Sequence, residues 1–402
     1  MVFICCCLAG AFFCRAGWGG ETWTIVKMVG VPIVMPSYAS GDVLVVEGEL
    51  LEYEDWRSIQ SERNTNPFHL RLLNGEVVIP EEALAGCYAL LSVTSPTVRH
   101  VEENAFSSCS ALRSFDFPNL VSMDYAGFMS CHSLVSVELP ASLGTVYNPF
   151  FGCGRLEEIR VAAENAWFKS IDGVLYNLDG KRLLSYPMAK KGAEFVGTRL
   201  EEVDATAFFA NRNLRHVYLP MLEIVNEHTF YHARNLVSVE IPRVKEIDLG
   251  AFFFCTSLKE VRVLFLETIS DHAFKNCESL EFFNAPRLKN IGIEAFVECR
   301  ALKTVSCPQA LNVGLGAFGS CDTLVSLDLR NIEEIWRSAF YDCVSLRELR
   351  LGRPPVVEEG AFSGVPGPLV LRVPEEVVGE YTAAYLEKSG YPAGTRVVAA
   401  ED

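Results

Sequence analysis

The sequence predicts a solenoid, a stack of 22-residue coils that each add a short strand to a parallel sheet. Three observations carry that expectation. First, a phenylalanine returns every 22 residues, at Phe106, Phe128 and Phe150 and again at Phe208, Phe230, Phe252, Phe274, Phe296, Phe318, Phe340 and Phe362, with Leu84 one period before Phe106. Second, other positions keep step with it. Alanine precedes the anchor in nine of the twelve units, cysteine follows three residues later in nine, and leucine often follows six later. Third, apolar residues nine and eleven after the anchor, such as Val217 and Leu219, alternate with polar ones as in a strand with one buried face. A fixed period of this size marks coils that bury their apolar faces only by stacking.

Each element of the repeat has a physical reading. Proline often closes the strand (Pro118, Pro140, Pro220, Pro242, Pro286, Pro308), because it cannot donate to the ladder. The Ala-Phe-x-x-Cys-x-x-Leu stretch has helical spacing but is too short for a helix, so a single turn of α or 3₁₀ type is expected on the convex side. About five apolar side chains per coil, at roughly 1.5–3 kcal/mol each, cannot offset the ordering of 22 residues at roughly 1–2 kcal/mol apiece. No coil is therefore expected to stand alone, and the array needs caps.

Along the chain, residues 1–17 are largely apolar and read as a secretory signal or lipid anchor, or else as a cap strand or an incomplete start. No basic residue precedes the apolar run. Ala11 stands where a lipoprotein box would need cysteine, while Cys5, Cys6 and Cys7 suit palmitoylation in a eukaryotic host. Residues 18–78 lack the repeat and are expected to cap the first coil. Repeats occupy 79–372, interrupted at about 163–198 by an insertion whose Asp172-Gly173 and Asp179-Gly180 pairs suit tight hairpin turns. Residues 373–402 are expected to cap the other end, with a helix over 376–388.

The Ala-Phe-x-x-Cys-x-x-Leu-x-x-Val-x-Leu-Pro unit resembles the BspA-type leucine-rich repeat over roughly residues 79–374. The insertion, with Phe168-Lys-Ser-Ile-Asp-Gly-Val-Leu-Tyr176, and the tail from Val373 to Tyr381 are similar to segments that interrupt and close such arrays. The resemblance implies a right-handed, curved leucine-rich-repeat solenoid with its parallel sheet on the concave face. It also implies an adhesive or recognition role at a cell surface, and no shared enzymatic activity.

Composition narrows the partners. A formal net charge of −16 argues against nucleic acid, which demands a basic footprint, and against unaided docking to anionic lipid. Membrane association is expected only through an N-terminal signal or lipid anchor. Fourteen cysteines invite a disulfide or zinc reading. Nine of them belong to the 22-residue ladder, however, and are expected to line one internal row as small hydrophobes.

No catalytic residue, metal site or cofactor is expected. His228-x-x-x-His232 has metal-compatible spacing, but no zincin carboxylate accompanies it. The Asp-Gly pairs lack a calcium-binding loop. Neither a nucleophile elbow nor a phosphate-cradling loop is present. The candidate ligand-binding residues are those expected to point outward from the concave face: Arg160, His216, Tyr218, Arg262, Phe282, Asn284 and Arg350, because aromatic and arginine side chains are the usual anchors of interfaces. The expected function is non-catalytic binding of a protein or other macromolecule, in adhesion or recognition at the cell surface or after secretion. The alternative is a cytoplasmic repeat scaffold for protein–protein interaction.

Overall fold

The computed structural model describes residues 4–8, 11–16, 22–29, 32–33, 35, 39–61 and 65–400. It divides into two compact units, residues 1–180 with 184–190, and residues 181–183 with 191–402.

The first unit is a stack of coils whose longer strands pair in parallel. Thr22–Lys27, Asp42–Gly48, Phe68–Leu72, Leu90–Thr94 and Ser114–Asp116 form consecutive rungs, and Ser136–Leu139 pairs with Glu158–Val161. A second parallel sheet of two-residue strands runs through Val78–Ile79, His100–Val101, Ser122–Met123 and Thr145–Val146. The segment expected only as a cap thus supplies three strands to the main sheet, although it lacks the repeat. Its helix, Tyr53–Gln60, carries Asp55 into the interior, where it meets Lys27 at 2.8 Å, both side chains being buried. Of the apolar opening, residues 1–3, 9, 10 and 17 lie outside the described residues. Ile4–Leu8 and Ala11–Ala16 form an antiparallel pair, and the second of these joins Thr22–Lys27.

The insertion contributes a hairpin, Phe168–Ile171 with Val174–Asn177, turned at Asp172 and Gly173, both at positive φ. The hairpin folds back on the last long strand of this unit, and the Ile159 amide donates to the Gly173 carbonyl at 2.9 Å.

The second unit repeats the plan more regularly. Its short strands run from Ile224–Val225 to Val356–Val357 as one seven-stranded parallel sheet. Its long strands form two parallel sheets, from Glu194–Val196 to Glu260–Arg262 and from Phe282–Asn284 to Arg396–Ala399. Over the end, the expected helix is broken into a 3₁₀ turn, Glu375–Glu380, and a short helix, Ala383–Lys388, capped by the Thr382 hydroxyl. Tyr391 then stacks on Phe362 at 4.8 Å and closes the aromatic row.

The anchor rings are buried in both units. Neighbouring centroids lie 4.8 and 5.9 Å apart in the first unit, and in the second the stacked row spans 5.0 Å at Phe208–Phe230 to 5.6 Å at Phe318–Phe340. Each ring sits in one tight turn closed by i→i+3 hydrogen bonds, such as Cys277 N–H to the Phe274 carbonyl at 3.1 Å. The turn goes no further because residues two before and two after the anchor take positive φ, as at Asn104 and Ser108 or Glu294 and Glu298. A left-handed residue ends a helix. The amides freed in this way bond across coils: Phe274 N–H donates to the Ala295 carbonyl and Asn276 N–H to the Val297 carbonyl, each at 2.8 Å. Main-chain pairing therefore ties the turn side together as firmly as the sheets.

The cysteine row completes the interior. Cys277 Sγ donates to the Phe252 carbonyl at 3.2 Å and Cys299 Sγ to the Phe274 carbonyl at 3.1 Å, and the pattern recurs at Cys109, Cys131, Cys153, Cys255, Cys321 and Cys343. A thiol suits this place because it is small and apolar, yet supplies one weak donor to a buried carbonyl.

Candidate binding face

Outward residues of the long strands alternate with buried ones, as the pleat requires. In Glu260–Arg262 and Phe282–Asn284 the middle residue is buried and its neighbours are exposed. Three of the predicted site residues, Arg262, Phe282 and Asn284, line one crevice of about 530 Å³ together with Leu264. Phe282 is 56 % exposed and Leu264 58 %, so the crevice holds apolar surface open to water.

The crevice exists because the long-strand sheet is interrupted there. Among the described residues, Glu260–Arg262 is the last strand of one sheet and Phe282–Asn284 the first of the next. The same two coils remain joined on their other sides. Thr268–Ile269 pairs with Glu246–Ile247 and with Asn290–Ile291, and Phe252 N–H donates to the Ala273 carbonyl at 2.8 Å. The opening is thus confined to one face. At this seam stands Phe283, an aromatic at an interior position filled by Val261 and Val305 in the flanking coils. Its ring packs edge-on against Phe274 and Phe296 at 5.4 and 4.9 Å.

Arg262 and Glu281 at the crevice are ion-paired. Arg262 lies 2.7 Å from Glu260 and 3.6 Å from Glu240. Lys303 lies 2.7 Å from Glu281 and 5.4 Å above the Phe282 ring. The Lys303 ammonium holds the Glu281 carboxyl below its ordinary range. What the site offers is an apolar lip beside ion pairs.

The remaining predicted residues are spread out. His216 and Tyr218 stand two strands before Arg262 on the same sheet, with His216 Nδ1 sharing a hydrogen bond with Ser238 Oγ at 2.8 Å. Tyr218 is 36 % exposed. Arg350 stands three strands beyond Phe282, half-buried, its Nε without a hydrogen-bond partner among the described residues. Arg160 belongs to the first unit, where it pairs with Glu158 at 2.7 Å. His228 and His232 occupy the two left-handed positions around Phe230. His228 stands edge-on to Tyr231, and His232 lies against Tyr231 and Phe254. Sequence reasoning missed Phe283 and Leu264. Their signals were present: an aromatic at an inner strand position, and leucine where most units carry the closing proline.

Coils with one long and one short parallel strand, joined by tight turns around a buried aromatic, define a leucine-rich-repeat protein. The BspA type leucine rich repeat region matches in six copies over residues 77–173, 195–287 and 265–366, and the chain belongs to that family. Among solved structures it is similar to the pneumococcal vaccine antigen PcpA, at 15 % identity over 99 % of both chains with a TM-score of 0.52. It is also similar to leucine-rich repeat proteins from Eubacterium ventriosum (19 % identity, 88 % of this chain and 92 % of that one, TM-score 0.47) and Bacteroides ovatus (19 %, 97 % and 98 %, 0.44). At these identities the likeness concerns the fold alone. No curated protein matches the sequence.

Proposed function

We propose that this chain is a non-enzymatic binding protein, displayed at the cell surface or secreted, that engages a protein ligand across the long-strand face of its second unit. The observation that carries the reading is the crevice, where Phe282 and Leu264 expose apolar surface beside Arg262 and Asn284. Exposed aromatics beside arginine are the usual centres of interface energy. The ion pairs around them would supply a polar rim. His216 and Tyr218, on the same sheet, would extend the footprint. The surface location is supported by family membership.

The test begins with surface proteolysis of intact cells and proceeds to a partner isolated with the full chain. Phe282→Ala and Arg262→Ala should each weaken that partner by about tenfold or more, as expected of central contacts. Unchanged affinity in both variants would remove this face from the reading. A second reading, a cytoplasmic scaffold, is favoured by one observation: ten buried cysteines are free thiols, as a reducing compartment maintains them. Protection of the chain from protease on intact cells would select it.

A further inference from the structure

The short-strand sheet of the second unit carries a separate trough of about 500 Å³, spanning the coils from Thr268 to Trp336. Its floor is nearly bare main chain. Four residues before each anchor most coils carry a side chain, such as Asp204, Asn226 or Asp248, but here the column reads Ser270, Gly292, Gly314 and then Trp336. Both glycines are forced by close coil contact, since an added Cβ would lie 2.6 Å from the Ser270 carbonyl carbon or 2.7 Å from that of Gly292. The consequence is a channel across successive coils. Leu249 and Ile293 form one wall, Thr268, Asn290 and Asn312 the other, and Trp336 stands at the end.

The hydrogen-bonding groups along this channel are only partly used. Asn312 Nδ2 donates to Asn290 Oδ1 at 2.8 Å, which fixes both amides, and Asp271 Oδ1 accepts from Ile293 N–H at 2.7 Å. Asn290 Nδ2, Thr268 Oγ1 and Ser270 Oγ make no hydrogen bond among the described residues, and all three residues line the channel. Trp336 donates its Nε1–H to Glu334 at 3.1 Å, which orients the indole and leaves the ring 38 % exposed.

We propose that this trough binds an extended, neutral, β-1,4-linked oligosaccharide. Covering the channel with a purely apolar ligand would leave its amide and hydroxyls unpaired, at a cost in binding. A peptide strand would need an unpaired sheet edge, but Thr268–Ile269, Asn290–Ile291 and Asn312–Val313 are each paired on both sides. No lysine or arginine lines the trough, which disfavours anionic polymers. A sugar chain satisfies all three conditions. Its hydroxyls both donate and accept, as the amides do, and its C–H face stacks on an indole. The coils repeat at about 4.8 Å, close to the length of one pyranose unit, so successive sugars would meet successive rungs.

Calorimetry and amide NMR on the full chain test this, with cellohexaose and N-acetylchitohexaose as probes, maltohexaose as a curved control and an extended-peptide library as competitor. The expected result is saturable binding of one β-linked probe, with shifts at the Asn290 side-chain amide and the Trp336 indole. Asn290→Ala and Trp336→Ala should weaken it by about tenfold each, one lost hydrogen bond or ring contact, with the melting temperature unchanged. If Trp336→Ala alters folding, the exposed Asn290→Ala alone decides. Four outcomes would overturn the proposal: no binding of either β-linked probe at millimolar concentration, equal binding of maltohexaose, affinity indifferent to both variants, or trough shifts with peptide alone.

Discussion

The ring of Phe283 lies 4.9 Å from that of Phe296 at an interplanar angle of 64°, edge to face within a row whose other members stack nearly flat. In the flanking coils the anchor ring lies beneath an aliphatic strand residue, as with Phe252 beneath Val261. Two rings in one coil need more room. The first unit repeats the effect at Phe115, whose ring stacks on Phe128 at 4.3 Å, and there too the long-strand sheet is interrupted, between Ser114–Asp116 and Ser136–Leu139. At both breaks an interior aromatic stands at the strand position, whereas Phe195, also at that position, leaves Glu194–Val196 paired with His216–Tyr218.

Phe283→Val should close the crevice. With an aliphatic residue like those of its neighbours, Phe282–Asn284 can pair with Glu260–Arg262, and amides at this seam gain main-chain partners. Hydrogen exchange at Val263 and Phe282 should slow by about tenfold or more, a main-chain hydrogen bond contributing on the order of 1 kcal/mol. Ligand affinity at this face should fall in parallel. Unaltered exchange across the seam would show that Phe283 does not part the strands.

The anchor row makes a sharper energetic prediction. Phe274 and Phe296 are buried and sandwiched between rings on both sides, at 5.0 and 5.1 Å for Phe274. Truncation of either to alanine should cost about 3–5 kcal/mol, as expected for a cavity that stacked coils cannot collapse. Phe282→Ala, one residue from Phe283 but pointing into solvent, should stay within about 0.5 kcal/mol. Chemical denaturation of the three variants provides the comparison. Similar losses at all three positions would contradict the assignment of faces.

Periodicity made the interior legible, because every coil solves the same packing problem with the same residues. Phe106 through Phe362, the cysteine row and the strand leucines all lie where the spacing puts them. Three things escaped it. The strands Thr22–Lys27, Asp42–Gly48 and Phe68–Leu72 join the sheet without the anchor pattern, since a coil next to a cap needs no repeat residue to pair its main chain. The turns stop after one cycle because left-handed residues flank each anchor, and many of these are ordinary residues such as Thr206 and Phe254, with no glycine to betray them. The pleat alternation gives the outward positions, but a column of candidates does not reveal where the sheet opens. The opening coincides with Phe283, which an apolar count treats as just another core residue.

Below the repeats, Lys27 and Asp55 form a buried ion pair with further support. Asp55 Oδ1 accepts from Ile33 N–H at 2.7 Å and Oδ2 from Glu52 N–H at 2.8 Å, fixing the start of the helix Tyr53–Gln60 against the first strands. Removing one partner strands the other charge in the interior, so Asp55→Ala or Lys27→Met should each cost about 3–5 kcal/mol. The double change should cost less than the sum of the two. Strict additivity in a double-mutant cycle would mean that the two charges do not depend on each other.

The thiol row predicts how stability responds to alkali. Burial pushes the thiols of Cys87 and Cys343 up to about 12, and burial raises those of Cys131, Cys277 and Cys321 as well. A raised pKa in the fold means that the unfolded chain loses these protons first. The stabilisation is fully present below the unfolded thiol value of about 8.5 and is lost as pH climbs from there through the folded values. Each thiol that stays protonated in the fold should contribute a fall of about 1.4 kcal/mol per pH unit in that window, so a row of them gives a steep, cooperative alkaline transition. Denaturant titrations between pH 8 and 11 measure the slope, and replacing Cys277 and Cys299 with alanine should make it shallower by about two thiols' worth. In the same samples a thiol reagent at neutral pH should reach the ten buried cysteines only after unfolding. A slope that ignores the double replacement, or fast labelling of the native protein, would contradict a row of thiols sealed between coils.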